Sequence, residues 1–192
     1  MGLREINRRN TLAVTQRTGI EMFTAHGFDA VKVADIAAEV GMAPSTLYRH
    51  FPTKESIVVW DEHAEDDGTA IEDALRRLPP FAALREAFVT DMAGRFEDDR
   101  EFQLPRMQLM YRTTAIHAAA LEAEWNDRVE LAAGLRHFVE GGDEGTAWLL
   151  AGAAMMAIDW AFDRWQATDG ATPLGELVAA SFDRIAHLDA IR

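Results

Sequence analysis

The chain has 192 residues and an apolar fraction of 48%, enough for one large or two small domains around a filled core. Its 19 Lys and Arg stand against 32 Asp and Glu, a net charge of −13, so the chain as a whole repels nucleic acid and any contact with it must be local. With no cysteine, neither disulfide nor thiolate chemistry is available, and the start MGLREINRR has neither the apolar stretch of a signal peptide nor the Ser or Thr of a myristoylation signal, so a cytoplasmic protein is expected.

The charge is unevenly spread. Residues 1–60 carry seven positive and six negative side chains, net +1, which leaves 12 against 26, net −14, for residues 61–192. The only two lysines, Lys32 and Lys54, both lie in the first part. Arg4, Arg8 and Arg9 suggest either an N-terminal basic arm that touches phosphates or an adjacent minor groove, or a frayed, solvated end.

In chain order, the first strong pattern is VADIAAEVGMAPSTLYRHFPTKE, residues 33–55. Ile36, Ala37 and Val40 form an apolar stripe at helical spacing, and Gly41 sits where a helix must end with positive φ. Met42 can tuck against the core. Pro44 suits a first helical position, where no N–H bond is needed, and Ser45 and Thr46 place hydroxyls at a helix start. Leu47 and Phe51 face inward, while Ser45, Thr46, Tyr48, Arg49 and His50 take the outer face. Two short helices joined by a tight turn, the second with a polar outer face, make a helix-turn-helix whose second helix enters a DNA groove.

At these residues the chain closely resembles the tetracycline-repressor (TetR) family of bacterial transcriptional regulators. Phe23, Gly27, Phe28, Val33, Ile36, Ala37, Gly41, Leu47, Tyr48, Phe51 and Lys54 stand at the family's characteristic places. The resemblance covers about the first third of the chain. It implies DNA contacts from Lys32, Ala34, Ala43, Pro44, Ser45, Thr46, Tyr48, Arg49, His50 and Lys54. Arg49 is the candidate for reading guanine, Tyr48 and His50 those for phosphate, and Ser45 and Thr46 could do either. One departure stands out. Lys32 occupies the place of a capping Thr, and a lysine cannot cap a helix start, although it can pair with a phosphate.

The remainder reads helical throughout, so the expected fold is all-α: a three-helix N-terminal helix-turn-helix domain, residues 1–54, and a C-terminal helical bundle, residues 55–192, for effector binding and dimerisation. A linking helix is expected over 54–65 and a polar break at 65–69. A short helix at 69–78 stops at Pro79 and Pro80, and the next, 81–96, has Leu84, Phe88 and Met92 on one face. Residues 97–101 read as a loop, and a helix starts near Pro105. A longer helix over 114–139 aligns Leu121, Trp125, Val129, Ala132 and Leu135. Gly141, Gly142 and Gly145 form a turn. The helix over 146–166 is apolar nearly all round and needs cover on two sides. With the helix over 174–191, which repeats Leu174, Leu177, Val178, Ser181, Ile185 and Leu188, it is suited to a four-helix contact with a second copy. Burial within one subunit is the other reading of that pattern, and the resemblance favours the homodimer. The longest charge-free apolar run, residues 147–158, is too short to span a bilayer.

No enzyme motif is legible. No histidine has Glu three residues before it, and HExxH, a P-loop, GxSxG and GxGxxG are absent. The cluster Asp61, Glu62, His63, Glu65, Asp66 and Asp67 reads as a solvated helix end rather than a metal site, and GGDE at residues 141–144 reads as a turn. No metal and no cofactor are expected. Binding is left for the second domain: Met107, Met110, Tyr111, Trp125, Met156 and Trp160, together with Met155, could line a cavity for an apolar or amphipathic effector, with Arg112 or Asp159 orienting a polar end. Taken singly, each of the apolar ones is more often plain core, and Arg112 and Asp159 could equally be solvated or engaged in an ion pair. The run IVVWDEH, residues 57–63, and the later helices resemble family members linked to mycofactocin, which implies an acyl-coenzyme A effector. The expected function is a ligand-responsive regulator, most simply a repressor, that binds a palindromic operator as a homodimer. The alternative is a helical carrier or enzyme without an operator.

Overall fold

The computed structural model describes residues 2–62 and 64–188, with the side chains of 3–5 and 64–67 left aside. Helix α1 (Leu3–His26) ends at Gly27, whose φ of +87° closes the helix. Arg8 and Arg9 lie on α1, so those two belong to a helix rather than an extended arm; the side chain of Arg4 lies outside the described part. Helices α2 (Val33–Glu39) and α3 (Pro44–His50) follow, then the six-residue α4 (Lys54–Val59). Their inner faces meet in one apolar core of Ile20, Phe23, Phe28, Val31, Val33, Ile36, Ala37, Leu47, Phe51 and Ile57. Gly19 lets α4 come close: a Cβ there would lie 3.0 Å from a methyl carbon of Ile57.

The linking helix is shorter than expected. It stops at Val59 because Trp60 turns extended, with ψ of 133°. The expected polar break over 65–69 is instead helical, within α5 (Ala64–Leu75). Ala74 and Leu75 bury the far end of that helix. His63, from the acidic cluster, lies outside the described residues.

Helix α6 (Pro80–Ala87) passes through a π-helical turn, Phe88–Met92, into α7 (Ala93–Asp98). Leu84, Phe88 and Met92 are buried as the spacing implies. The loop expected over 97–101 shrinks to Asp99, whose carbonyl accepts from Phe102 and Gln103 and starts α8 (Arg100–Arg112). Pro105 is therefore inside a helix, not at its start. Helix α9 (Thr114–Leu135) ends four residues earlier than the apolar pattern does. Of its aligned face only Ala132 and Leu135 are buried, while Leu121, Trp125 and Val129 are exposed.

Gly141 and Gly142, at φ +64° and +67°, make the turn into α10 (Glu144–Ala167), and α11 (Leu174–Ala186) follows Pro173. Residues 189–191 of the last expected helix lie outside the described part. Helices α10 and α11 pack extensively against each other. The alanines Ala147, Ala151, Ala154, Ala157 and Ala161 with Trp165 are the buried face of α10. The whole of α10 is longer than its charge-free run and passes a length-and-composition test for a membrane span, as apolar core helices also do.

Among the described residues every regular element is helical. Two compact units result, one of Met1–Glu62 with Pro105–Leu121, the other of His63–Leu104 with Glu122–Arg192. The fold is all-α, an N-terminal helix-turn-helix followed by a helical bundle.

Candidate nucleic-acid interface

The turn between α2 and α3 is built as its residue types require. Val40 donates to Ile36, Gly41 takes φ +68°, and the Met42 N–H reaches back to the Ala37 carbonyl at 2.8 Å. Met42 is half-buried. Ala43 is extended and Pro44 opens α3 without needing a donor. Leu47 and Phe51 are fully buried, and this fixes the rotation of α3. Ala43, Pro44, Ser45, Tyr48 and Arg49 are consequently exposed, with Thr46 and His50 half-buried beside them. Lys32 and Ala34, at the start of α2, are exposed as well.

Lys32 does occupy the N-cap of α2, and its side chain makes no cap bond. The helix start is held from the other direction: Asp35 accepts the Lys32 backbone N–H at 2.9 Å. The Lys32 ammonium is thereby left outward. Lys54 is placed differently. Its Nζ donates to the carbonyls of Phe28 at 2.7 Å and Val31 at 3.0 Å, and lies 4.4 Å from the centre of the Phe28 ring. Two of its three donors thus tie α4 to the turn after α1. Thr53 caps α4 by accepting from Ser56 at 3.1 Å.

Two further polar side chains hold the far end of α4, and neither stood out in the sequence reading. Gln16 of α1 donates to the carbonyls of Ile57 at 2.9 Å, Val58 at 3.3 Å and Trp60 at 2.6 Å. Arg106 of α8 donates from Nε to Val58 at 2.8 Å and from Nη2 to Val59 at 3.2 Å and Trp60 at 2.9 Å. Both are buried, Arg106 with 5% exposure. Burial lowers the Arg106 pKa, while Asp61 and Glu62 raise it. The sequence signals were faint: a glutamine within the inward stripe Leu12, Gln16, Ile20, and an arginine in an apolar run.

The effector candidates are scattered by element. Met107 and Met110 are buried on α8, and Tyr111 is half-buried, its ring 5.4 Å from that of His117. Trp125, 53% exposed, meets Trp148 edge-on at 5.6 Å, with the Arg128 guanidinium 4.3 Å above it. Met155 is half-buried, whereas Met156 is 68% exposed, and Trp160 carries Arg184 at 4.8 Å. Arg112 and Asp159 are exposed. A shallow depression lined by Ala70, Ile71, Ala87, Phe88, Asp91 and Met92, none of them among the expected effector residues, encloses essentially no space for even a water molecule.

Comparison with known proteins agrees with this geometry. Residues 17–59 match the family of bacterial regulatory proteins of tetR type, and residues 78–188 match the MftR C-terminal domain. A Mycobacterium tuberculosis protein named as the mycofactocin biosynthesis transcriptional regulator MftR is 28% identical over 172 residues, 85% of this chain and 83% of its own. The HTH-type transcriptional regulator TcmR of Streptomyces glaucescens is 30% identical over 128 residues, 62% of this chain and 56% of its own. Among solved structures, Thermus thermophilus FadR, a TetR-family repressor in complex with lauroyl-CoA, aligns with a TM-score of 0.59 at 18% identity over 96% of both chains. A TetR-family protein of Mesorhizobium loti aligns with a TM-score of 0.56 at 16% identity, over 97% of this chain and 98% of its own. The chain belongs to the TetR family of bacterial transcriptional regulators, and is a ligand-responsive DNA-binding protein that acts as a dimer.

Proposed function

We propose that residues 1–54 read a palindromic operator through the exposed face of α3, and that residues 55–192 bind an acyl thioester of coenzyme A, which releases the DNA. The observation that carries the DNA half is the outward face Ser45, Tyr48 and Arg49, set by the buried Leu47 and Phe51. The Arg49 side chain makes no ion pair or hydrogen bond among the described residues, so its bidentate donors are available for guanine. Lys32 and Lys54 supply phosphate contacts, and two such modules on a two-fold axis read half-sites about one helical turn apart. Such a repressor works in the cytoplasm, where its DNA is.

The effector class is supported by the match over 78–188 and by the lauroyl-CoA in the FadR complex. Met107, Met110 and Tyr111 are the residues of α8 suited to an acyl chain. Met156 and Trp160, considered above as effector contacts, share one stripe of α10 with Leu149, which is 72% exposed, and fit the dimer contact better. None of the relatives named above is described as a carrier or an enzyme. To move the dimer from mostly binding-competent to mostly incompetent, the effector must prefer the second state by about ten-thousand-fold, roughly 5.5 kcal/mol.

A fluorescence-anisotropy titration against the duplex upstream of its own gene, with an unrelated duplex as control, tests both halves. Saturable binding of two protomers per palindrome, relieved by an acyl-CoA series but not by free coenzyme A, is the expected result. Equal, weak binding to both duplexes and to pools selected from random DNA would refute the operator half. Tight operator binding that no acyl-CoA relieves would refute the effector half alone.

A further inference from the structure

Helix α4 has six residues, too few to hold helical shape by themselves. A helix end leaves its last carbonyls without intrahelical donors. Here the acceptors at that end, Ile57, Val58, Val59 and Trp60, are all taken by two side chains from other helices, Gln16 and Arg106. Val58 and Trp60 each accept from both. The direction in which α4 leaves the helix-turn-helix is therefore set by one residue of α1 and one of α8.

We infer that Arg106 is a positioning residue for operator binding: with Gln16 it fixes the exit direction of α4, and so the separation of the two reading helices in the dimer. This rests on the operator reading above. The chemistry favours position over stability as the role. A buried cation is costly to desolvate, so its bonds to a few carbonyls return little net stability, even though removing it would strand them. What the guanidinium adds is a rigid fork whose Nε and Nη2 address neighbouring carbonyls at once, at the negative end of a helix dipole. Lysine, a point donor on a flexible stem, cannot hold the same three acceptors in one geometry. The residue before it, Pro105, gives no N–H to the helix, so α8 lacks one internal bond at the point where it holds α4.

The absence of cysteine from the chain allows a direct test. The full-length Glu39→Cys protein, substituted at an exposed position at the end of α2, would carry one spin label per protomer. Pulsed dipolar spectroscopy then reads the label separation across the dimer, alongside operator affinity and the thermal midpoint. Arg106→Met should broaden or shift the separation and weaken operator binding about tenfold or more, the scale expected for stranding buried carbonyls. Arg106→Lys should restore the thermal midpoint more fully than the narrow separation. Unchanged separation and affinity in both variants would overturn the inference. Should Arg106→Met fail to fold, Arg106→Lys and Gln16→Leu decide by the same two readings. A parent protein without operator preference would refute the operator reading, and the separations would still decide the role of Arg106.

Discussion

Lys32 and Lys54 carry the same charge in very different surroundings, and substitution should separate their roles. Lys32 points its ammonium outward, so Lys32→Ala should leave the thermal midpoint alone and reduce the salt dependence of operator binding by roughly 0.9 per protomer. Lys54→Met strands the Phe28 and Val31 carbonyls, and should cost about 1–3 kcal/mol in denaturant unfolding while weakening binding to all sequences alike. An equal salt slope for Lys32→Ala and its parent would remove Lys32 from the phosphate contacts. Arg49→Ala should act on sequence choice instead. It should lose about 1–3 kcal/mol of discrimination at one base pair of each half-site, read by titrating single-substituted operators.

At the scale of elements, local chemistry decided what was legible. The turn between α2 and α3 was readable because Gly41, Pro44, Leu47 and Phe51 each state a backbone or burial requirement within a few residues. The boundaries after residue 60 were read less well because their signals conflict. The acidic run after His63 looks like a loop and acts as a helix start, and Pro105 looks like a start and sits inside α8. Gln16 and Arg106 were missed because their partners lie 41 and more residues away along the chain. The turn into α10 offers an element-level prediction. Asp143 caps that helix by accepting the Thr146 N–H at 2.6 Å, and its pKa is held below the ordinary value, first by the Thr146 side chain and then by that N–H. A depressed carboxylate stabilises the fold above its unfolded pKa and loses that contribution as pH falls through the lower folded value. The thermal midpoint of the parent should therefore exceed that of Asp143→Ala at neutral pH, and the gap should close as the solution is acidified below about pH 4. A gap independent of pH would mean the carboxylate charge plays no part.

For the whole molecule, the exposed stripe Leu149, Met156 and Trp160 on α10 is the face proposed to meet a second copy. Met156→Glu places like charges near a two-fold axis and should weaken the dimer about a hundredfold or more in sedimentation, with operator binding falling in parallel. A variant that stays dimeric would move the contact elsewhere. The uneven placement of the two lysines has a practical corollary. Acylating reagents that modify primary amines find only Lys32, Lys54 and the chain start, and Lys54 is shielded by its two carbonyls and the Phe28 ring. Coupling this protein to a sensor surface through Lys32 would thus press the DNA-reading face against the support. The same selectivity makes a footprint: bound operator should protect Lys32 from acylation, while Lys54 reacts slowly with or without DNA.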